Sequence, residues 1–314
     1  MIKSMAIFGG SDQIRERFQI GHIKRRVISP ISRIRVFALL ALLVTSSSHA
    51  QFVRFVEGEQ QWQGKLQTSI NRYVSKNGNE VELVAAVHVA DLAYYQALNA
   101  YFEQRDVVLY ELVTSEPDPD LSQQARDDGG SAIGFVQAAM ASYLQLQFQL
   151  QVINYGADNF RHADLSMQEL MSIMGAKNEN FFTMFLNLAA AQMASEQQAR
   201  LNGSAAVSSF TVLSLLTALA ADNQGQAVKY LVAQELGRSG GLIIDAELES
   251  QVTILGDRNA VALGELQDVL SNGSEQRISL FYGAAHMPGI ERALLEELQF
   301  SLSETTWLDA WVIP

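Results

Sequence analysis

The 314 residues are 48% hydrophobic and 18% charged, an ordinary globular balance with enough apolar material for a substantial core. The absence of cysteine excludes disulfides, thiolate metal sites, a cysteine nucleophile and a lipid-modified terminal cysteine. Residues 1–50 hold eight basic and two acidic side chains, so the net charge of -12 becomes -18 once they are set aside, a balance that repels phosphate backbones and argues against nucleic-acid binding.

The amino-terminal segment reads as an export signal. Arg33 and Arg35 precede the apolar run Val36–Val44, and Thr45-Ser-Ser-Ser-His-Ala50 ends it with a small-x-small site. The run is far short of the ~20 apolar residues that a membrane-spanning helix needs. Residues 1–50 are therefore expected to be a signal peptide cleaved after Ala50. That leaves a periplasmic or secreted protein without a stable membrane span.

Residues 51–130 are expected to form the first half of an α/β core. Leu66–Val74 alternates and ends at Lys76-Asn77-Gly78-Asn79, a hairpin signal, and Glu80–Val87 follows as a strand. Val89–Gln104 predicts a helix with Leu92, Tyr95, Leu98 and Phe102 on one face and Asp91 as its cap. Asp106–Val113 is a continuous apolar strand suited to a buried parallel position.

Residues 131–240 are expected to be a mainly helical insertion. Met167, Leu170, Met171 and Met174 recur at helical spacing, as do Phe181, Phe185, Leu188 and Gln192, and Val212–Ala221 is a further apolar run. Core packing explains these stripes. Residues 241–314 complete the core. Arg277–Tyr282 predicts a strand, Met287–Phe300 a helix with Pro288 in its first turn, and Thr305–Ile313 a strand. The fold class is α/β: two βαβ-like units form one mixed sheet, and the helical insertion lies between them. Glu111 follows His88 by 23 residues and Asp309 follows His286 by 23, which suggests a duplicated unit.

Only three histidines follow residue 50: His88, His162 and His286. His88 and His286 each end a predicted strand, the edge at which α/β sheets bind ligands. Imidazole there serves as a metal ligand or a general base. Neighbouring parallel strands would bring the two rings within ~7 Å, a span one shared ion can bridge. Glu111 ends the apolar strand Val107–Tyr110, where a carboxylate needs a cation, a metal or a hydrogen-bond donor. Arg258 falls on a helical stripe with Leu255, Ala262, Leu266 and Val269, so it either snorkels to the rim or pairs with an anion. His162, in Phe160-Arg-His-Ala-Asp-Leu-Ser166, is either a third metal ligand or part of a helix start capped by Asp164 or Ser166.

The ordered set Val84-Ala-Ala-Val-His88, Tyr94-Tyr95, Asp106-Val-Val-Leu-Tyr-Glu111, Asp257-Arg-Asn259 and Gly283-Ala-Ala-His-Met-Pro-Gly289 resembles the signatures of the TraB/GumN–Tiki superfamily. Ala85 stands where that superfamily usually has glycine. Its alanine fits if the backbone φ there is negative. The resemblance spans both flanks and leaves the middle unmatched. It implies a metal-dependent, peptidase-like hydrolase acting on a peptide or another small acyl substrate. His88 and His286 would hold a divalent ion (Mn, Co or Zn), Glu111 would be ligand or general base, and Arg258 would stabilise an anion. Other branches imply an alternative, a non-catalytic peptide- or haem-binding protein. On the catalytic reading Glu111 lacks a structural partner, so Glu111→Gln is expected to leave the melting temperature nearly unchanged or slightly raised; if Glu111 instead pairs with Arg258 to hold the elements together, the same change is expected to lower it clearly.

Overall fold

The computed structural model describes residues 50–114, 144–179, 197, 201, 212–239, 253 and 255–314. The chain divides into units Met1–Ser48 and His49–Pro314, and every described residue belongs to the second. The export signal thus lies outside the described residues, as do Phe181, Phe185, Leu188 and Gln192.

The elements in chain order are β1 Val53–Glu57, β2 Gly64–Val74, β3 Glu80–Ala86, β4 Val89–Ala90, α1 Leu92–Phe102, β5 Val107–Tyr110, β6 Gln147–Phe148, α2 Gln149–Val152 and β7 Phe160–His162. They continue with α3 Met167–Ala176, α4 Val212–Leu219, α5 Gln224–Ser239, α6 Gly256–Asn272, β8 Arg277–Gly283, α7 Met287–Glu296 and β9 Ser301–Ile313. This is an α/β fold on one mixed seven-stranded sheet, ordered β1-β2-β3-β8-β5-β7, with β9 on β2. β3, β8, β5 and β7 run parallel to one another, and β1, β2 and β9 form the antiparallel side.

Local sequence explains most of this. The β2–β3 connection turns at Gly78, whose φ of 86° is a left-handed conformation that glycine adopts without steric cost. Val81–Ala86, Val107–Tyr110 and Ile278–Gly283 are buried throughout, as mostly apolar runs require when both sheet faces are covered, and their polar members Glu82 and Ser279 bind each other at 3.0 Å. Leu98 and Phe102 of α1, Leu266 of α6 and Leu294 of α7 join the same core. Each such side chain contributes about 1.5–3 kcal/mol by burial.

Several expectations need correction. Asp91 occupies the N-cap position of α1, but its side chain makes no cap bond; it binds Lys229 Nζ at 2.8 Å and the Val312 amide at 2.6 Å instead. The described part of the insertion is mainly helical as expected, and it also carries β7, which extends the central sheet beside β5. On α3 only Leu170 and Met174 enter the core (4% and 2% exposed), whereas Met167 and Met171 are 43% and 52% exposed. The two strand–helix–strand units share element order but not topology. β3 and β5 flank β8 in parallel, whereas β9 crosses to pair antiparallel with β2. Asp309 accordingly binds Lys65 and Gln67, and it has no counterpart relation to Glu111.

Candidate functional site

The carboxy ends of β3, β8 and β5 lie side by side and deliver His88, His286 and Glu111 to one edge. Ala86 pairs with Gly283, and the Glu111 amide continues the β5–β8 ladder by donating to the Phe281 carbonyl at 3.0 Å. Gly283 is the floor of the arrangement. A Cβ built there would stand 3.1 Å from Glu111 Oε2, 3.8 Å from His88 Nε2 and 3.9 Å from His286 Cδ2. Three chemistry-bearing side chains thus converge on the space that the missing side chain leaves.

Glu111 is held from both sides. Its Oε1 accepts from Arg258 Nη2 at 2.6 Å and lies 3.4 Å from His286 Nε2, while Oε2 accepts from the Gly283 amide at 2.5 Å. Burial alone would raise its pKa. The neighbouring His286, the Arg258 guanidinium and His88 outweigh burial and hold the carboxyl well below the ordinary carboxylate range. Of the two outcomes expected for Glu111→Gln, these partners favour the clear loss of stability over the unchanged one, which presupposed a carboxylate without structural bonds.

Arg258 sits in the first turn of α6, 6% exposed, so it pairs rather than snorkels. Asp164 grips it twice, through Nε at 2.9 Å and Nη2 at 2.6 Å, with an Asp164 side chain that is fully buried. Burial opposes the charge on Arg258, and Asp164 and Glu111 more than restore it, leaving its pKa raised. One guanidinium between two carboxylates leaves this trio one negative charge in excess.

His286 is the N-cap residue of α7, 4% exposed. Its Nδ1 lies 2.7 Å from Asn259 Oδ1, while Asn259 Nδ2 donates to the His286 carbonyl at 3.4 Å. With Asn259 Oδ1 accepting from Nδ1, the other ring nitrogen, Nε2, is the one that faces Glu111 and Arg258 Nη1. A ring anchored through Nδ1 presents Nε2 to the site, the arrangement second-shell partners give a metal-ligating histidine. His88 is exposed. Its backbone is fixed by the Gln149 amide, which donates to the His88 carbonyl at 2.9 Å.

His162 is not brought to this edge's chemistry. Its Nε2 lies 2.7 Å from the Leu112 carbonyl oxygen, and among the described residues it makes no hydrogen bond or ion pair with Glu111, His88 or His286. Ser166 is the cap of α3, in a reciprocal capping box with Glu169. Asp164 and Asn259 were named in the sequence, as a cap candidate and a motif residue, but their roles of holding Arg258 and His286 were not read from it. The available signal was Arg258 itself, since a buried guanidinium needs more than one acceptor. Ala85 is buried in β3 and is not among the described non-glycine residues with positive φ, so alanine is compatible with the backbone there.

Among the described residues no three His, Asp or Glu side chains stand at metal-ligand spacing. The donor set still suits a divalent ion: two imidazole nitrogens and a carboxylate around the space over Gly283. Both Glu111 oxygens are already engaged, which leaves the imidazoles as the readier ligands. No family model matches the sequence, no curated protein is similar to it, and no solved structure matches its fold.

Proposed function

We propose that this chain is a divalent-metal-dependent hydrolase of peptide or other small acyl bonds, acting at the edge formed by His88, Glu111, Arg258 and His286. The observation that carries this reading is the convergence of two strand-end imidazoles and an ionised glutamate on the space over Gly283. The motif resemblance of the flanking segments to the TraB/GumN–Tiki superfamily supports it.

His88 and His286 would hold the ion. An ion bound there supplies Lewis acidity and lowers the pKa of water toward ~7. Asn259 anchors the His286 ring through Nδ1 and leaves Nε2 facing the site. Glu111 stays ionised through the neutral range, which suits it to attract a cation and orient water more than to store a proton. Arg258, fixed on one side by Asp164, offers its Nη1 side to a developing oxyanion.

Metal analysis of natively purified protein beside the His88→Ala/His286→Ala double variant tests this reading, together with hydrolysis of a mixed peptide library. Stoichiometric metal and cleavage in the parent, both lost in the variant, are the expected results. Equal, negligible metal in both would reject the metal-dependent reading, and a Soret band on haem titration would favour the haem-binding alternative.

A further inference from the structure

The paired tyrosines Tyr94-Tyr95, part of the motif set read from the sequence, have no place in the reaction described so far. Both lie on α1 and are buried. Their hydroxyls reach alternate carbonyls at the end of β3. Tyr94 Oη donates to the Ala85 carbonyl at 3.1 Å, and Tyr95 Oη donates to the Val87 carbonyl at 2.8 Å.

These bonds belong to a longer series. β3 ends at Ala86 and β4 begins at Val89, so His88 lies in the short step between them. There the chain leaves the ladder, and its carbonyls need donors from elsewhere. The Ala284 amide donates to the Ala86 carbonyl at 2.9 Å, the Gln149 amide to the His88 carbonyl at 2.9 Å, and Trp311 Nε1 to the Val89 carbonyl at 2.7 Å. Every carbonyl from Ala85 to Val89 is therefore held. A peptide unit is planar, so only the two dihedrals at each Cα are soft. Tyr95 holds the plane that enters His88, and Gln149 holds the plane that leaves it. Gln149 is fixed in turn, its Nε2 donating to Tyr155 Oη at 2.7 Å. Together these bonds set the direction of the His88 Cα–Cβ bond. Asn259 anchors the His286 ring directly, whereas the His88 ring makes no hydrogen bond among the described residues and takes its place from its backbone.

We propose that Tyr95 is a positioning residue for the metal site: its hydroxyl, with the Gln149 amide, sets the His88 backbone and so aims the imidazole at the space over Gly283. This rests on the reading of His88 as a metal ligand. Tyr95 touches neither ion nor substrate and acts only through His88. A ligand held by its backbone alone loses its aim when one of its peptide planes is released. Partners that orient a ligand in this way are worth about 10–100-fold in metal affinity. Phenylalanine in place of Tyr95 keeps the ring packed against Tyr94, 5.1 Å away, and removes only the donor.

The test compares the parent with Tyr95→Phe, and with Ser166→Ala as a destabilised control that has no bond to this stretch. In metal-free protein the His88 Cα and Cβ nuclear magnetic resonances report its backbone dihedrals. They should move in Tyr95→Phe, more than those of His162 and His286, and stay in place in Ser166→Ala. Zinc affinity by calorimetry should fall about tenfold or more in Tyr95→Phe and stay within about twofold of the parent's in Ser166→Ala. If Tyr95→Phe does not fold, Tyr155→Phe carries the same test, because it releases the Gln149 side chain behind the second plane. Unmoved His88 resonances, or a zinc affinity unchanged from that of a zinc-binding parent, would overturn the proposal. A parent that binds no zinc would instead count against the metal reading, and the resonances alone would then decide whether Tyr95 sets His88.

Discussion

Glu111→Gln should destabilise the protein clearly, because the carboxylate uses both oxygens. Oε1 takes Arg258 and Oε2 takes the Gly283 amide. A carboxamide of the same volume has one acceptor oxygen and one NH2 group. Whichever way it turns, a donor faces a donor. A buried donor left unmatched costs about 1–3 kcal/mol, and breaking a buried ion pair costs about 3–5 kcal/mol. Arg258 keeps Asp164, so the lower end of the pair cost applies, about 3 kcal/mol. At about 2–4 °C per kcal/mol for a chain of this size, the melting temperature should fall by about 6–12 °C. The sign with pH follows from the depressed carboxyl. Its contribution is fully present above the unfolded value of about 4.3 and is lost as pH falls through the lower folded value. The gap between parent and variant should therefore be constant from about pH 5 to 8 and narrow below about pH 4. Thermal unfolding of metal-free protein followed by circular dichroism across that range is the assay. A gap under about 1 °C at pH 7, or one that widens in acid, would refute the reasoning.

Gly283→Ala should push Glu111 out of place, since the new methyl stands 3.1 Å from Oε2; peptide hydrolysis should drop at least tenfold while thermal unfolding shows a loss of about 1–2 kcal/mol. Ser166→Ala removes the capping box of α3 and should cost about 1 kcal/mol in denaturant unfolding, with activity unchanged. His162→Ala loses one bond to the Leu112 carbonyl and should cost about 1 kcal/mol, and metal analysis should show the parent's content.

The site's outline was legible because its residues punctuate strongly apolar strands. His88, Glu111 and His286 interrupt runs whose burial on both faces is written in Val, Leu, Ile and Phe. Asp164 was not legible as a member, because Asp-Leu-Ser reads equally as a helix start and only the tertiary fold aims its carboxylate at Arg258. β7 escaped because three residues carry no measurable period. The place of β9 escaped, although it runs in the direction of β8, because its partner β2 lies more than two hundred residues away, and strand pairing at that distance leaves no local trace. The shared 23-residue spacing was arithmetic without topology.

The position of β8 between β3 and β5 sets an order in time. His88 and Glu111 belong to the first half of the chain, but the strand that separates and supports them is Arg277–Gly283, close to the carboxy end. A chain emerging amino end first holds β3 and β5 apart, with the inner edge of each unpaired, until β8 arrives. Gly283, whose amide holds Glu111, does not exist before then. The crevice is consequently among the last features to form, and it forms only in a chain that is essentially complete. Such long-range insertion folds slowly and leaves open strand edges exposed meanwhile. A chain stalled before β8 would have most of the sheet's residues and Glu111 without the Gly283 amide and His286 that complete the site.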